Sequence, residues 1–228
     1  MKALLLFSGG KDSTYAAWLI ISYGWDITSM VTMLPESPSS YMFHHPNVNW
    51  TPLQAEAMEL PLILKRTGGK KDEELEDLKD VVSELKIDCV VTGAVASEYQ
   101  KEKIDVLCEE LNLKSLAPLW HKDSEQLLHD IVDWGFEVII TSVSAEGFDE
   151  TWLGRRIDEG CIKELVMLNK KFGINISGEG GEYESLVLDA PFFKSKIKII
   201  NSEKHWKGTT GSFEVTNAIL EEKTLNSA

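Results

Sequence analysis

Blocks of apolar residues alternate with amphipathic stretches along the first half of the chain. The unbroken run Ala3-Leu4-Leu5-Leu6-Phe7 has the length and composition of one buried strand, and residues 14–20 read as a helix. The same pattern recurs downstream: residues 27–33 read as a strand, 51–59 as a helix and 62–65 as a short strand. Residues 72–85 place Leu75, Leu78, Val82 and Leu85 on one face of a helix. Strand, helix and strand repeat at 88–92, 98–111 and 114–117. That order predicts a parallel sheet with helices on both faces.

The alternation breaks at Pro118-Leu119-Trp120-His121-Lys122-Asp123, which reads as a hinge. Beyond it come a helix over 124–133, a strand over 137–143, a helix over 158–171 and short β-rich pieces after Leu186. Two domains are predicted: residues 1–120 around the parallel sheet, and residues 121–228 as a smaller α+β domain that recognises substrate.

The turn Ser8-Gly9-Gly10-Lys11-Asp12-Ser13 joins the first strand to the first helix. Its glycines let the backbone turn tightly and approach a ligand. The first N–H groups of the helix, the positive end of its dipole, Lys11 and two hydroxyls converge on one spot. A di- or triphosphate suits that spot. Lys11 in the first turn opposes the dipole, and a bound anion removes the objection. A Walker A loop needs four residues between its first glycine and a Gly-Lys-Ser/Thr ending. No stretch here has that form, and the near miss Gly68-Gly69-Lys70-Lys71 lacks the hydroxyl.

Composition narrows the class. A 228-residue chain with 43% hydrophobic residues can bury a sizeable core, and no apolar run approaches the length of a membrane span. Met1-Lys2 leads straight into a core strand, so no secretory signal and a cytoplasmic location are expected. Cys89, Cys108 and Cys161 are scattered and form no Cys-x-x-Cys pair, which points away from zinc and disulfides. The net charge is −14. The densest basic cluster, Lys65, Arg66, Lys70 and Lys71, runs at once into Asp72, Glu73, Glu74, Glu76 and Asp77. Nucleic acid is therefore not the expected partner, and a cationic substrate or basic protein is.

Three further motifs carry candidate chemistry. Thr92-Gly93-Ala94-Val95-Ala96-Ser97 follows a strand and opens a helix, and Gly93 and Ala94 would let a flat base lie against the backbone. Gly178-Glu179-Gly180-Gly181-Glu182-Tyr183-Glu184-Ser185 makes a poor helix and a poor strand. Its carboxylates suit a magnesium ion, a general base or a cationic substrate. Near Ser40-Tyr41-Met42-Phe43-His44-His45, adjacent histidines on an extended chain point to opposite sides, so His44 alone is the candidate beside a reacting carboxylate.

The first loop resembles the pyrophosphate loop of the ATP pyrophosphatase superfamily, which implies AMP-forming chemistry and an adenine-nucleotide alpha-hydrolase-like sheet. Together with Met42-x-His44, Gly93-Ala94, Tyr99-Gln100, Leu116-x-Pro118-Leu119-Trp120, Trp152-Leu153-Gly154-Arg155 and above all Glu179-Gly180-Gly181-Glu182-Tyr183-Glu184, it resembles the diphthine–ammonia ligase family over nearly the whole chain. That resemblance implies ATP-dependent amidation of diphthine on translation elongation factor 2 by ammonium, through an acyl-adenylate, with Mg²⁺. It implies that Ser8, Gly9, Gly10, Lys11 and Ser13 hold the departing pyrophosphate, and that Asp12 orients Lys11 or approaches the metal. It further implies adenine contacts at Gly93 and Ala94, and a base at Glu182 or Glu184.

Substrate contacts are implied at His44, Tyr99, Gln100, Trp152, Arg155, Glu179 and Tyr183, with Tyr183 and Trp152 against the quaternary cation. The family usually shows Arg-x-Arg where this chain has Lys101-Glu102-Lys103, and Thr or Ser where it has His45. Another pyrophosphate-loop ligase, a tRNA-modifying enzyme and a non-catalytic ATP sensor are the alternatives, and homo-oligomer formation is left open.

Overall fold

The computed structural model describes residues 1–35, 47–68 and 71–223. In chain order the elements are β1 (Lys2–Leu6), α1 (Lys11–Ser22), β2 (Asp26–Pro35), α2 (Thr51–Met58), β3 (Leu62–Thr67), α3 (Lys71–Ser83), β4 (Cys89–Val91) and α4 (Glu98–Glu110). They continue with β5 (Lys114–Leu116), α5 (Ser124–Asp133), β6 (Glu137–Val143), α6 (Glu159–Phe172), β7 (Tyr183–Asp189), β8 (Ser195–Lys207) and β9 (Thr210–Glu222). The chain divides into two compact units, Met1–Thr51 with Leu60–Lys122, and Pro52–Glu59 with the residues from Asp123 onward. No helix among the described residues is long and apolar enough to cross a membrane.

The first unit holds a five-stranded sheet of order β3-β2-β1-β4-β5, with every pairing parallel. Ala3, Leu4 and Leu5 of the central strand are fully buried, as an unbroken apolar run requires when both faces of a sheet are covered. Leu78 and Val82 of α3 pack with Leu4, Val31, Val90, Ile104 and Leu107, and Leu75 and Leu85 close over them. The amphipathic face read from the sequence is therefore the core face. This is the parallel α/β arrangement that the alternation of strands and helices predicts. The chain builds outward from β1 through β2 to β3, then returns to add β4 and β5 on the other side. The reversal opens a crevice at the carboxyl ends of β1 and β4, where such sheets take ligands.

The second unit is a four-stranded sheet of order β7-β6-β9-β8 with antiparallel pairings, together with α5 and α6. Side-chain caps start both helices: Asp123 accepts from the Gln126 N–H at 2.9 Å and Asp158 from the Cys161 N–H at 2.8 Å. Most of α2 belongs to this unit although its sequence lies between two strands of the first. Gln54 Nε2 donates to the Val187 carbonyl at 2.8 Å, and the Lys194 N–H donates to the Ala57 carbonyl at 2.6 Å.

The β-rich pieces expected to be short are two strands of 13 residues each in one hairpin. Their apolar alternation fails because the pairing register shifts between Ile199 and Ser202 and the tip is exposed on both faces.

Candidate active site

The polar turn after β1 stands at the crevice. Gly9 has φ 80, a left-handed conformation that favours glycine, and Gly10 is the extended N-cap of α1. The hydroxyls knit the loop to itself: Ser8 Oγ and Ser13 Oγ lie 3.2 Å apart, and the Ser13 and Thr14 hydroxyls donate to the Gly10 carbonyl at 3.2 and 2.9 Å. Lys11 is 4% exposed, and its Nζ lies 2.9 Å from Asp12 Oδ2. The neighbouring carboxylate thus offsets the charge that opposes the helix dipole. Asp12 Oδ1 is buried and has no hydrogen-bond partner among the described residues.

Gly93 closes the other wall of the crevice. A Cβ built there would lie 2.6 Å from the Ser13 nitrogen, 2.7 Å from the Asp12 carbonyl carbon and 2.9 Å from Ser13 Cα. The loop after β4 therefore packs backbone to backbone on the first turn of α1, which only glycine allows. The close neighbour of Gly93 is the helix start itself. Ala94 follows, 8% exposed, and Ser97 caps α4 by accepting from the Gln100 N–H at 3.4 Å.

Thr32, which the sequence reading passed over, fixes the exit of β1: its hydroxyl donates to the Phe7 carbonyl at 2.7 Å, and the Phe7 N–H donates to the Val31 carbonyl at 2.9 Å. A threonine 1% exposed in an apolar strand was the signal.

Tyr99 and Gln100 lie in the first turn of α4, with Lys103 Nζ 5.8 Å from the Tyr99 ring centre. Lys101 pairs with Asp105 and stands 5.5 Å from the Trp120 ring, which lies 4.6 Å from that of His121. The His121 N–H donates to the Val95 carbonyl at 2.8 Å, which ties the loop after β5 to the loop after β4. These residues gather at the same end of the sheet as the polar turn. His44 lies outside the described residues.

In the second unit the acidic-glycine loop turns on Gly178 and Gly181, both with positive φ. Glu182 Oε1 accepts from the Asn175 N–H at 2.8 Å; Glu179 and Glu184 are half-buried on either side, and Glu184 pairs with Ser142 across the sheet.

Tyr183 and Trp152, implied to hold a quaternary cation, are 2% and 4% exposed. The Tyr183 hydroxyl donates to the Ile176 carbonyl at 2.9 Å; Trp152 meets Phe148 edge-on and carries the Arg155 guanidinium 4.5 Å from its ring centre. Arg155, expected to contact substrate, spends its fork on Glu164, with both N–O distances 2.7 Å.

The Arg155 hydrogen bonds hold the Glu164 carboxyl below its ordinary value of 4.5. A lowered folded value means stabilisation that is present above the ordinary glutamate range and lost as pH falls through the folded value. Glu164→Gln is accordingly expected to lower the melting temperature at neutral pH by the equivalent of no more than about 1 kcal/mol, given the exposure of the pair. The gap to the unmodified protein should close on acidification below 4.5; a gap independent of pH would show that the pair is not its source.

A family model described as the diphthamide synthase N-terminal domain matches residues 1–115, and one described as the diphthamide synthase C-terminal domain matches residues 123–220. The chain belongs to the diphthamide synthase family. The diphthine–ammonia ligase of Schizosaccharomyces pombe is 37% identical over 223 residues, covering 89% of this chain and 37% of that protein. The Bos taurus and Homo sapiens diphthine–ammonia ligases are 34% and 33% identical over 226 residues, covering 89% of this chain and 84% of each of theirs. The chain thus spans little more than a third of the fission-yeast protein and most of the mammalian ones.

Two properties of this diphthamide synthase family member bear on its chemistry. Among the described residues no group of three His, Cys, Asp or Glu side chains is placed to hold a metal ion. At the polar turn, Asp12 Oδ1, buried and without a hydrogen-bond partner among the described residues, is an oxygen that could reach a cation.

The cysteines are all buried; burial pushes the Cys108 thiol up to about 11 and the Cys161 thiol up to about 12, and raises Cys89 as well. None offers the thiolate that a sulfur-transferring relative would use. At pH of about 8 the folded protein is expected to resist iodoacetamide, whereas in guanidinium all 3 thiols react. Fast labelling of the folded protein would contradict this.

Proposed function

We propose that this chain is an ATP-dependent, AMP-forming ligase that amidates diphthine on translation elongation factor 2 with ammonium. The observation that carries the reading is the polar turn at the sheet crevice, backed by Gly93, in a chain whose two halves both match diphthamide synthase domains.

A carboxylate resists attack by ammonia and has no useful leaving group; adenylation supplies one. The diphthine carboxylate oxygen bonds to the α-phosphorus, the bond to the bridging β-phosphate oxygen breaks, and pyrophosphate departs. Lys11, the first-turn N–H groups of α1 and the hydroxyls of Ser8 and Ser13 face the negative charge that accumulates on that leaving group. Asp12 is the residue that would hold a Mg²⁺ ion here, which would supply further charge neutralisation.

Ammonia then attacks the acyl carbon and AMP leaves. Of the two protons that ammonium must lose, Glu184 takes the first before attack, and the second passes from the tetrahedral nitrogen to solvent as the C–O bond to AMP breaks. In this reading the first unit handles the nucleotide, with adenine against Gly93 and Ala94, while the second recognises the acceptor through Glu179 and its neighbours.

One assay tests the whole. The protein is mixed with ATP, ammonium and diphthine-bearing elongation factor 2, and AMP and pyrophosphate are expected only when all are present. ADP as product, or ATP binding without turnover, would overturn the proposal.

A further inference from the structure

The acidic-glycine loop contains one carboxylate whose surroundings differ from those of its neighbours. Glu182 Oε1 is taken by the Asn175 N–H at 2.8 Å, and Oε2 is buried with no hydrogen-bond partner among the described residues. The carboxylate lies on Gly180, where a Cβ would meet Oε1 at 2.7 Å and Oε2 at 2.9 Å. Gly180 is thus the residue type that leaves room for this side chain to fold back on its own loop.

Asn175 is in turn held by a serine knot. Its Oδ1 accepts from the Ser177 N–H and the Ser177 hydroxyl, each at 2.9 Å, and from the Ser124 hydroxyl at 3.3 Å. Ser177 is fully buried, and Ser124 is the first residue of α5. The Glu182 backbone is fastened as well: its carbonyl accepts from the Ser144 N–H at 2.9 Å, and the Ser144 hydroxyl donates to the Gly181 carbonyl.

We infer that Glu182 is a positioning residue: its carboxylate straps the acidic-glycine loop to Asn175 and, through Asn175, to the start of α5. The strap holds Glu179 and Glu184 in place for the acceptor. This assignment rests on the proposed amidation only for the identity of the acceptor; the strap is a property of the second unit alone. It gives the loop its glycine at 180 and separates the carboxylates by task. In Glu182, Oε1 is engaged by the Asn175 N–H and Oε2 is buried, so neither oxygen is open at the surface to a proton on an incoming ammonium. A general base needs an oxygen within reach of the proton it removes.

The experiment uses the full chain with Glu182→Gln and Glu182→Ala. Glutamine keeps an oxygen for the Asn175 N–H, whereas alanine keeps none. Hydrogen exchange at the Asn175 amide is expected to stay slow in the unmodified protein and in Glu182→Gln, and to speed up roughly tenfold or more in Glu182→Ala. In the amidation assay, Glu182→Gln is expected to hold kcat within about twofold with an unchanged pH profile, since no proton passes through residue 182. Glu182→Ala should raise KM for the diphthine-bearing factor roughly tenfold while KM for ATP stays put.

If Glu182→Ala does not fold, Glu182→Gln against the unmodified protein still decides. A large loss of kcat in Glu182→Gln with slow Asn175 exchange would assign a base role and overturn the inference. Fast exchange in Glu182→Gln would overturn it too. Failure of the unmodified protein to amidate would count against the proposed function, and the exchange rates would still decide whether the strap exists.

Discussion

Lys11→Ala is expected to lower kcat/KM for ATP in amidation by roughly 10²- to 10³-fold, the cost typical of removing one preorganised charge-stabilising donor. Two effects add. The cation that faces the departing pyrophosphate disappears, and the Asp12 carboxylate, 2.9 Å from it in the intact loop, loses its partner and repels the phosphates. Adding Asp12→Asn to the alanine variant should therefore restore part of the ATP affinity but little of the rate. Arginine should not rescue, because a planar fork does not fit where a residue 4% exposed holds a single point charge. Steady-state AMP release together with calorimetric ATP binding separates these terms. A Lys11→Ala enzyme with ordinary turnover would remove the loop from the chemistry.

Gly93→Ala is expected to cost roughly 10²-fold in activity, the scale associated with displacing a site by about 1 Å. The added methyl meets backbone atoms of Asp12 and Ser13 at 2.6 to 2.9 Å, and these sit in a helical turn that cannot rotate aside as a side-chain end can. Either the loop after β4 backs away or the first turn of α1 deforms, and both spoil the phosphate site. Gly135→Ala is the control: φ there is 77 with nothing within 4 Å of the added carbon, so it should lose about 1 kcal/mol of stability and keep its rate. Melting curves and AMP release on both variants test this. Equal activity losses would show that general destabilisation is at work.

Much of the first unit was legible because its signals are local. The apolar run of β1, the glycines of the following turn and the 3.6-residue spacing of Leu75, Leu78 and Val82 are each read by neighbours within a turn or a strand. So are the helix starts at Ser97, Asp123 and Asp158, whose side chains accept from N–H groups three residues on. The polar turn is legible for the same reason: its glycines, hydroxyls and lysine belong to one strand end and one helix end.

Charged and aromatic side chains were less legible, even where their partners lie within ten residues. Arg155, implied as a substrate contact, pairs through both ends of its guanidinium with Glu164 on α6, a contact that the residue type leaves open. Trp152 and Tyr183, implied as an aromatic cradle, both lie against Phe148, and the Tyr183 hydroxyl donates to the Ile176 carbonyl. In each case a residue type suited to binding is also suited to packing, and only the partner decides between them.

By itself, then, the sequence determined the order of strands and helices, the parallel sheet and the polar glycine turn that opens α1, because periodicity, glycine freedom and helix-end donors act over a few residues. Tertiary structure alone decided that Gly93 backs onto Ser13, that most of α2 packs with the second unit, and that Glu182 turns inward to Asn175. The first two join residues far apart along the chain and depend on which strand lies beside which. The third is short in sequence but depends on a carboxylate finding room over Gly180 and an N–H held in place by Ser124 and Ser177. Burial and partner geometry set those contacts, and residue type leaves both open.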